Sequence, residues 1–157
     1  KELAPEQGRF PLRLRNHAAF HTPLQAEVME DARVTLRALK FTQPKLPLVD
    51  GRGKLWLPYS SEPSDLWDYT LGHQLVEPYR FTTAIQVAVK EFAPDCIINL
   101  GPGNTLGGAI AQSLIPLDWH GVHDRRSFLR QQANKAYILS MGIDEQRKKV
   151  VTREAND

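Results

Sequence analysis

Few side chains in this sequence are placed to do chemistry. His21, in the run Ala18-Ala-Phe-His-Thr-Pro-Leu24, stands directly before a helix-start signal. An imidazole in such a position is a candidate general base. A base needs a nucleophile to serve, and no serine qualifies. Ser60, Ser61, Ser64, Ser113, Ser127 and Ser140 include no G-x-S-x-G elbow. Cys96, the single cysteine, lies in the apolar run "DCIINL" and reads as a small buried hydrophobe. His17, His21, His73, His120 and His123 form no H-x-x-x-H or H-E-x-x-H pair within a helical segment, which argues against zinc. His120 and His123 with Asp118 and Asp124 could be drawn as a metal cluster. A solvated loop is the simpler reading, and no metal site is assigned. The glycine turn from Gly101 to Gly107 follows a strand and precedes a helix, as a phosphate loop would. Its third glycine falls one residue late for a dinucleotide fingerprint and no Lys-Ser/Thr follows, so it reads as a tight structural turn.

These residues need elements to hold them. Thr22 predicts an N-cap, Pro23 a first helical residue, and Gln25 completes a T-x-x-Q capping box. Leu24, Val28, Ala32, Leu36 and Leu39 then recur on one helical face. Before this helix, "RFPLRLR" (residues 9–15) alternates as a half-buried strand, and "KELA" reads as the last turn of a helix. Two extended segments flank the Asp50-Gly51 turn. A second helix covers Ser64 to Val76, stopped by Pro78, and a third opens at Thr82 or Thr83. "DCIINL" predicts a buried strand leading through the glycine turn into a helix. "IPLDWHGV" reads as strand-like, Asp124 to Met141 as a last helix, and the residues from Ile143 as a charged, loosely docked tail. Alternating strands and helices predict an α/β fold with a mostly parallel sheet.

Composition fits one ordinary globular domain. The chain has 157 residues, 41% hydrophobic and 24% charged, with 20 Lys+Arg against 18 Asp+Glu. That balance does not point to nucleic acid. No apolar run approaches the ~20 residues of a membrane span. The single cysteine excludes an internal disulfide framework, and a reducing, cytoplasmic setting is the simplest expectation.

Three segments, in order, resemble one family. "AAFHTPLQAEV" is similar to the "xxFHSPLM" segment of malonyl-CoA:acyl carrier protein transacylases. "GHQLVEPYRFTTAIQVAVKEF" is similar to their "RQLxxPVxWxxSVxxL" segment, and "CIINLGPGNTLGGAI" to their "xxEVGPGxVLTGL" segment. The resemblance spans residues 10–114. Thr22 stands for the family's Ser, Gln25 for Met and Asn99 for Glu.

The resemblance implies the C-terminal half of such an enzyme. Residues 1–16 would be the last helix and strand of a ferredoxin-like insert. Residues 17–142 would be the C-terminal portion of the large α/β-hydrolase-like subdomain, and 143–157 a charged tail. His21 matches the family's catalytic histidine. Gln74 matches a glutamine whose main-chain carbonyl orients that histidine. Phe20 occupies a position at which Phe accompanies malonyl selection. The nucleophilic serine would lie in a missing N-terminal half, and this chain alone would be inactive. The implied reaction is ping-pong transfer of malonyl from CoA to acyl carrier protein, in fatty acid or polyketide synthesis. No cofactor is implied beyond malonyl-CoA as substrate. The implied partners are malonyl-CoA, acyl carrier protein and the missing half, with neither nucleic acid nor membrane. Arg9, Arg13 and Arg15, or Arg125 and Arg126, could contribute a carrier-docking surface, although solvated faces are the plainer reading. A non-catalytic half-domain that binds acyl-CoA or carrier protein is the alternative, and a nucleotide-binding module a third.

Overall fold

The computed structural model describes residues 18–101 and 103–151. The expected opening helix and strand, with Arg9, Arg13 and Arg15, lie outside the described residues. The chain is mixed α/β and mostly helical. It divides into two compact units. The described part of the first comprises residues 18–43 and 62–78, and that of the second residues 44–61 and 79–151.

The first unit is built from two helical stretches. Thr22 is extended (φ −138°, ψ 158°), and Pro23–Gln25 forms a single 3-10 turn that runs into helix α1, Ala26–Thr35. The expected capping box is absent. The Gln25 N–H is taken by the backbone carbonyl of Thr22 at 3.0 Å, and the Thr22 hydroxyl donates backward to Ala19 O at 2.7 Å. The 3-10 geometry satisfies the orphan N–H without a side-chain cap. The helix stops at Thr35, so Leu36 and Leu39 lie beyond it. The expected core-facing stripe is largely exposed, with Leu24 80% accessible. The half-buried positions of α1 are Met29, Ala32 and Arg33.

The second stretch begins with Pro63 at the first helical position of α2, Pro63–Asp68. A π turn, Tyr69–His73, follows and passes directly into the short α3, Gln74–Val76. The Gln74 N–H reaches five residues back to Tyr69 O, as a π turn requires. Residues 63–76 are thus helical, as the sequence predicts, but with an inserted wide turn.

The second unit opens with an antiparallel hairpin. Strands β1, Leu48–Val49, and β2, Leu55–Trp56, pair Leu48 with Trp56 and Val49 with Leu55. Asp50 organises the turn. Its buried carboxylate accepts from the Arg52 and Lys54 N–H groups, the Arg52 guanidinium and Trp56 Nε1. Gly51 admits the Tyr79 ring, which would lie 2.4 Å from a Cβ there. Helix α4, Phe81–Phe92, packs on α5, Leu106–Leu114. Strand β3, Ile97–Asn99, pairs in parallel with β4, Ile138–Ser140. Val89, Ile110, Leu114, Val122, Tyr137 and Ile138 form the core between them.

Four sequence expectations fail in this unit. "IPLDWHGV" is no strand but two 3-10 turns, Ile115–Leu117 and Trp119–Gly121, because Asp118 and His120 adopt positive φ (49° and 52°). The last helix ends early. Helix α6 is Arg125–Asn134, capped by a reciprocal Asp124–Ser127 box, and residues 138–140 form the buried strand β4 instead. The tail contains helix α7, Asp144–Val151. Cys96 is exposed rather than buried, and Ile98 and Leu100 are exposed on or beside β3. Within the described residues the sheets are a parallel pair and an antiparallel pair, smaller than the parallel sheet the alternation suggests.

Candidate functional site

The first unit brings His21 and Gln74 together. The second helical stretch ends in a run whose carbonyls lack helical partners. His73 O still accepts the Glu77 N–H at 2.9 Å. The partner that Gln74 O would have four residues on is Pro78, which has no N–H. That carbonyl is instead 2.6 Å from His21 Nδ1. The next carbonyl, Leu75 O, accepts the His21 backbone N–H at 3.1 Å. One histidine therefore takes two successive orphan carbonyls of the helix end, one through its ring and one through its backbone.

This double attachment fixes the chemistry of the ring. A carbonyl only accepts, so Nδ1 carries a proton, and in the neutral tautomer that this selects the lone pair belongs to Nε2. His21 is half-buried and sits at φ +59°, in the left-handed region that non-glycine residues rarely occupy. Phe20, its neighbour, is 56% accessible.

The remaining candidates are dispersed. The glycine turn belongs to the second unit. Gly101 and Gly103 have φ of 139° and 59°, Ser140 Oγ donates to Gly103 O at 2.8 Å, and a Cβ on Gly142 would meet Gly103 at 2.5 Å. These contacts make it a packed structural turn. Asn99, where the resembled family has Glu, is buried and accepts the Gly101 N–H through its side-chain oxygen at 3.3 Å. The hydroxyls of Ser61, Ser113, Ser127 and Ser140 all donate to backbone carbonyls. His123 Nδ1 lies 3.6 Å from Asp118 Oδ1 on an exposed loop, and among the described residues no three His, Cys, Asp or Glu side chains gather as a metal site. Arg125 and Arg126 are exposed at the start of α6. No helix among the described residues is long and apolar enough to cross a membrane.

Sequence reasoning missed a second tie between the two helical stretches. Arg33, on α1, reaches the second helical stretch. Its Nη2 is 2.6 Å from Asp68 Oδ1, and its guanidinium carbon lies 4.5 Å from the centre of the Trp67 ring. It also borders Gly72 in the π turn, where a Cβ would stand 3.0 Å from Nη1. A lone Arg in a mixed charged helix carries no signal of these contacts.

Comparison with known proteins finds two polyketide synthases. The chain is 29% identical over 101 residues to Polyketide synthase GfsB of Streptomyces halstedii, a match that covers 63% of this chain and 2% of that protein. It is 31% identical over 120 residues to Reducing polyketide synthase BOA6 of Botryotinia fuckeliana, covering 72% of this chain and 5% of that protein. The chain thus spans a small part of the length of either relative. No family model and no solved structure matches.

Proposed function

We propose that this chain supplies the histidine side of an acyltransferase site that moves malonyl from CoA to acyl carrier protein. The observation that carries this reading is the 2.6 Å approach of His21 Nδ1 to Gln74 O, which orients the ring from its Nδ1 side. Similarity to polyketide synthases supports the same reading. So does the resemblance of residues 10–114 to malonyl-CoA:acyl carrier protein transacylases.

In the proposed reaction, Nε2 of His21 takes the proton of a serine hydroxyl contributed by sequence outside this chain. The serine oxygen bonds the malonyl thioester carbon, and the tetrahedral species collapses by breaking the C–S bond. The proton on Nε2 passes to the departing CoA thiolate. In the second half-reaction His21 takes the phosphopantetheine thiol proton, the thiolate attacks the acyl-serine, and the proton returns to the serine oxygen. The Gln74 carbonyl takes the place of the carboxylate in a Ser-His-Asp triad and holds the ring's orientation throughout. Phe20 beside the base would crowd an α-methyl group and favour malonyl, by an effect on the order of 1–3 kcal/mol for one methyl. In this reading the chain is a C-terminal portion of an α/β-hydrolase-like subdomain that requires its other half, and no cofactor takes part.

The test uses the full polypeptide that carries this chain. His21→Ala should lower malonyl transfer to carrier protein by roughly 10²–10⁴-fold. Intact-protein mass spectrometry should then find little acyl-serine. Near-normal transfer by His21→Ala would overturn the assignment.

A further inference from the structure

We propose that Arg33 is a positioning residue for His21, one that acts by locking α1 to the π turn. The proposal deepens the acyltransferase reading and rests on it for its catalytic consequence. Its geometric claim stands apart from that reading.

The two helical stretches of the first unit are tied at two places. At the start of α1, His21 engages Gln74 O and Leu75 O. Toward its end, Arg33 engages Trp67, Asp68 and Gly72. Between the ties run the 3-10 turn and the first seven residues of α1, a lever of about 15 Å. A pivot of about 4° over that lever would move the imidazole by about 1 Å. Such a shift would break a hydrogen bond whose useful range is only a few tenths of an ångström. Misplacement of that size typically costs on the order of 10²-fold in rate.

Apolar packing does little to oppose such a pivot. Helix α1 buries no residue fully, and Val28 and Val34 on it are exposed. The Arg33–Asp68 pair is itself solvent-accessible, so as a bare ion pair it contributes little. Its value lies in shape. The planar guanidinium stacks on Trp67, is oriented by one carboxylate oxygen, and fits against a glycine that leaves it room. The π turn puts that glycine two residues before Gln74 in the same stretch. The contact that fixes Arg33 and the carbonyl that fixes His21 therefore belong to one continuous piece of backbone.

The test reads the ring directly. In this chain, the tautomer of His21 is measured by nuclear magnetic resonance of its ring carbons and nitrogens. The wild type should be in the Nδ1–H form. Arg33→Ala should shift it several-fold toward Nε2–H, and Arg33→Lys, which keeps the charge but not the stack, should recover only part of the bias. If Arg33→Ala does not fold, Gly72→Ala decides, since its methyl displaces the guanidinium and should move the tautomer ratio the same way by less. An unchanged ratio in a folded Arg33→Ala or Gly72→Ala variant would overturn the proposal, even with a lowered Tm. In the full polypeptide, Arg33→Ala should lower kcat with KM for malonyl-CoA unchanged and distort the pH–rate profile. Should His21→Ala leave transfer intact while Arg33→Ala still shifts the tautomer, the functional reading fails and the clamp stands.

Discussion

His21 combines an unusual backbone with an ordinary side chain. Its φ of +59° costs a β-branched residue more than it costs Asn, whose short polar side chain tolerates that region. The same position thus separates folding from chemistry. His21→Asn should keep the backbone and lose the base, and His21→Val should lose both. Urea unfolding should find the Val variant about 1–2 kcal/mol less stable than the Asn variant. Equal stabilities would mean that the left-handed conformation is not held in solution. Part of this site was legible in the sequence. The spacing of Gln74 and Pro78 is a sequence fact, and it identifies a carbonyl with no helical donor. The backbone bond to Leu75 O and the positive φ were not legible, because nothing in "AAFHTPL" demands them.

At the scale of elements, the anchor depends on how the second helical stretch ends. Pro78 removes the one N–H that could compete for Gln74 O through the helix. Pro78→Ala restores that donor and lets α3 extend by helical hydrogen bonding. We expect the variant to remain folded and to lose part of the Nδ1–H bias of His21, with transfer by the full polypeptide falling in step. Amide exchange at residue 78 should report the new hydrogen bond. A protected amide with an unchanged His21 tautomer would show that the carbonyl serves both donors. The π turn itself left no trace in the sequence pattern. Its residues, Tyr69–His73, fit a continuous helix on periodicity, and the insertion is visible only in the hydrogen-bond register. Strand β4 escaped for a related reason. "YILS" is a short apolar run, which periodicity cannot assign to strand or helix, and it follows a helix with no glycine or proline between.

At the scale of the molecule, the α/β alternation was readable, and the extent of the sheet was not. Strand pairing is a long-range property, and the residues of β3 and β4 lie some forty positions apart. The second unit instead depends on local polar devices whose charge state matters. Burial of Asp50 raises its pKa, but hydrogen bonds from the Arg52 guanidinium and from the Arg52 and Lys54 N–H groups, with the charge of Arg52, outweigh it and hold the carboxyl below its usual range. The Asp124 carboxyl is lowered as well, chiefly by the Ser127 N–H it accepts as a helix cap. Both groups bind protons more weakly folded than unfolded. Their stabilisation is complete above the unfolded carboxylate pKa of about 4 and is lost as pH falls through the lower folded values. Thermal unfolding between pH 7 and pH 2 should therefore show a Tm that declines from about pH 4 downward. Asp50→Asn should flatten that decline and lower Tm at neutral pH, because a carboxamide cannot accept all the donors that converge there. Asp124→Asn keeps an N-cap acceptor and should flatten the decline with a smaller loss at neutral pH. If Asp50→Asn keeps the full acid slope, the hairpin carboxylate is not a source of the pH dependence.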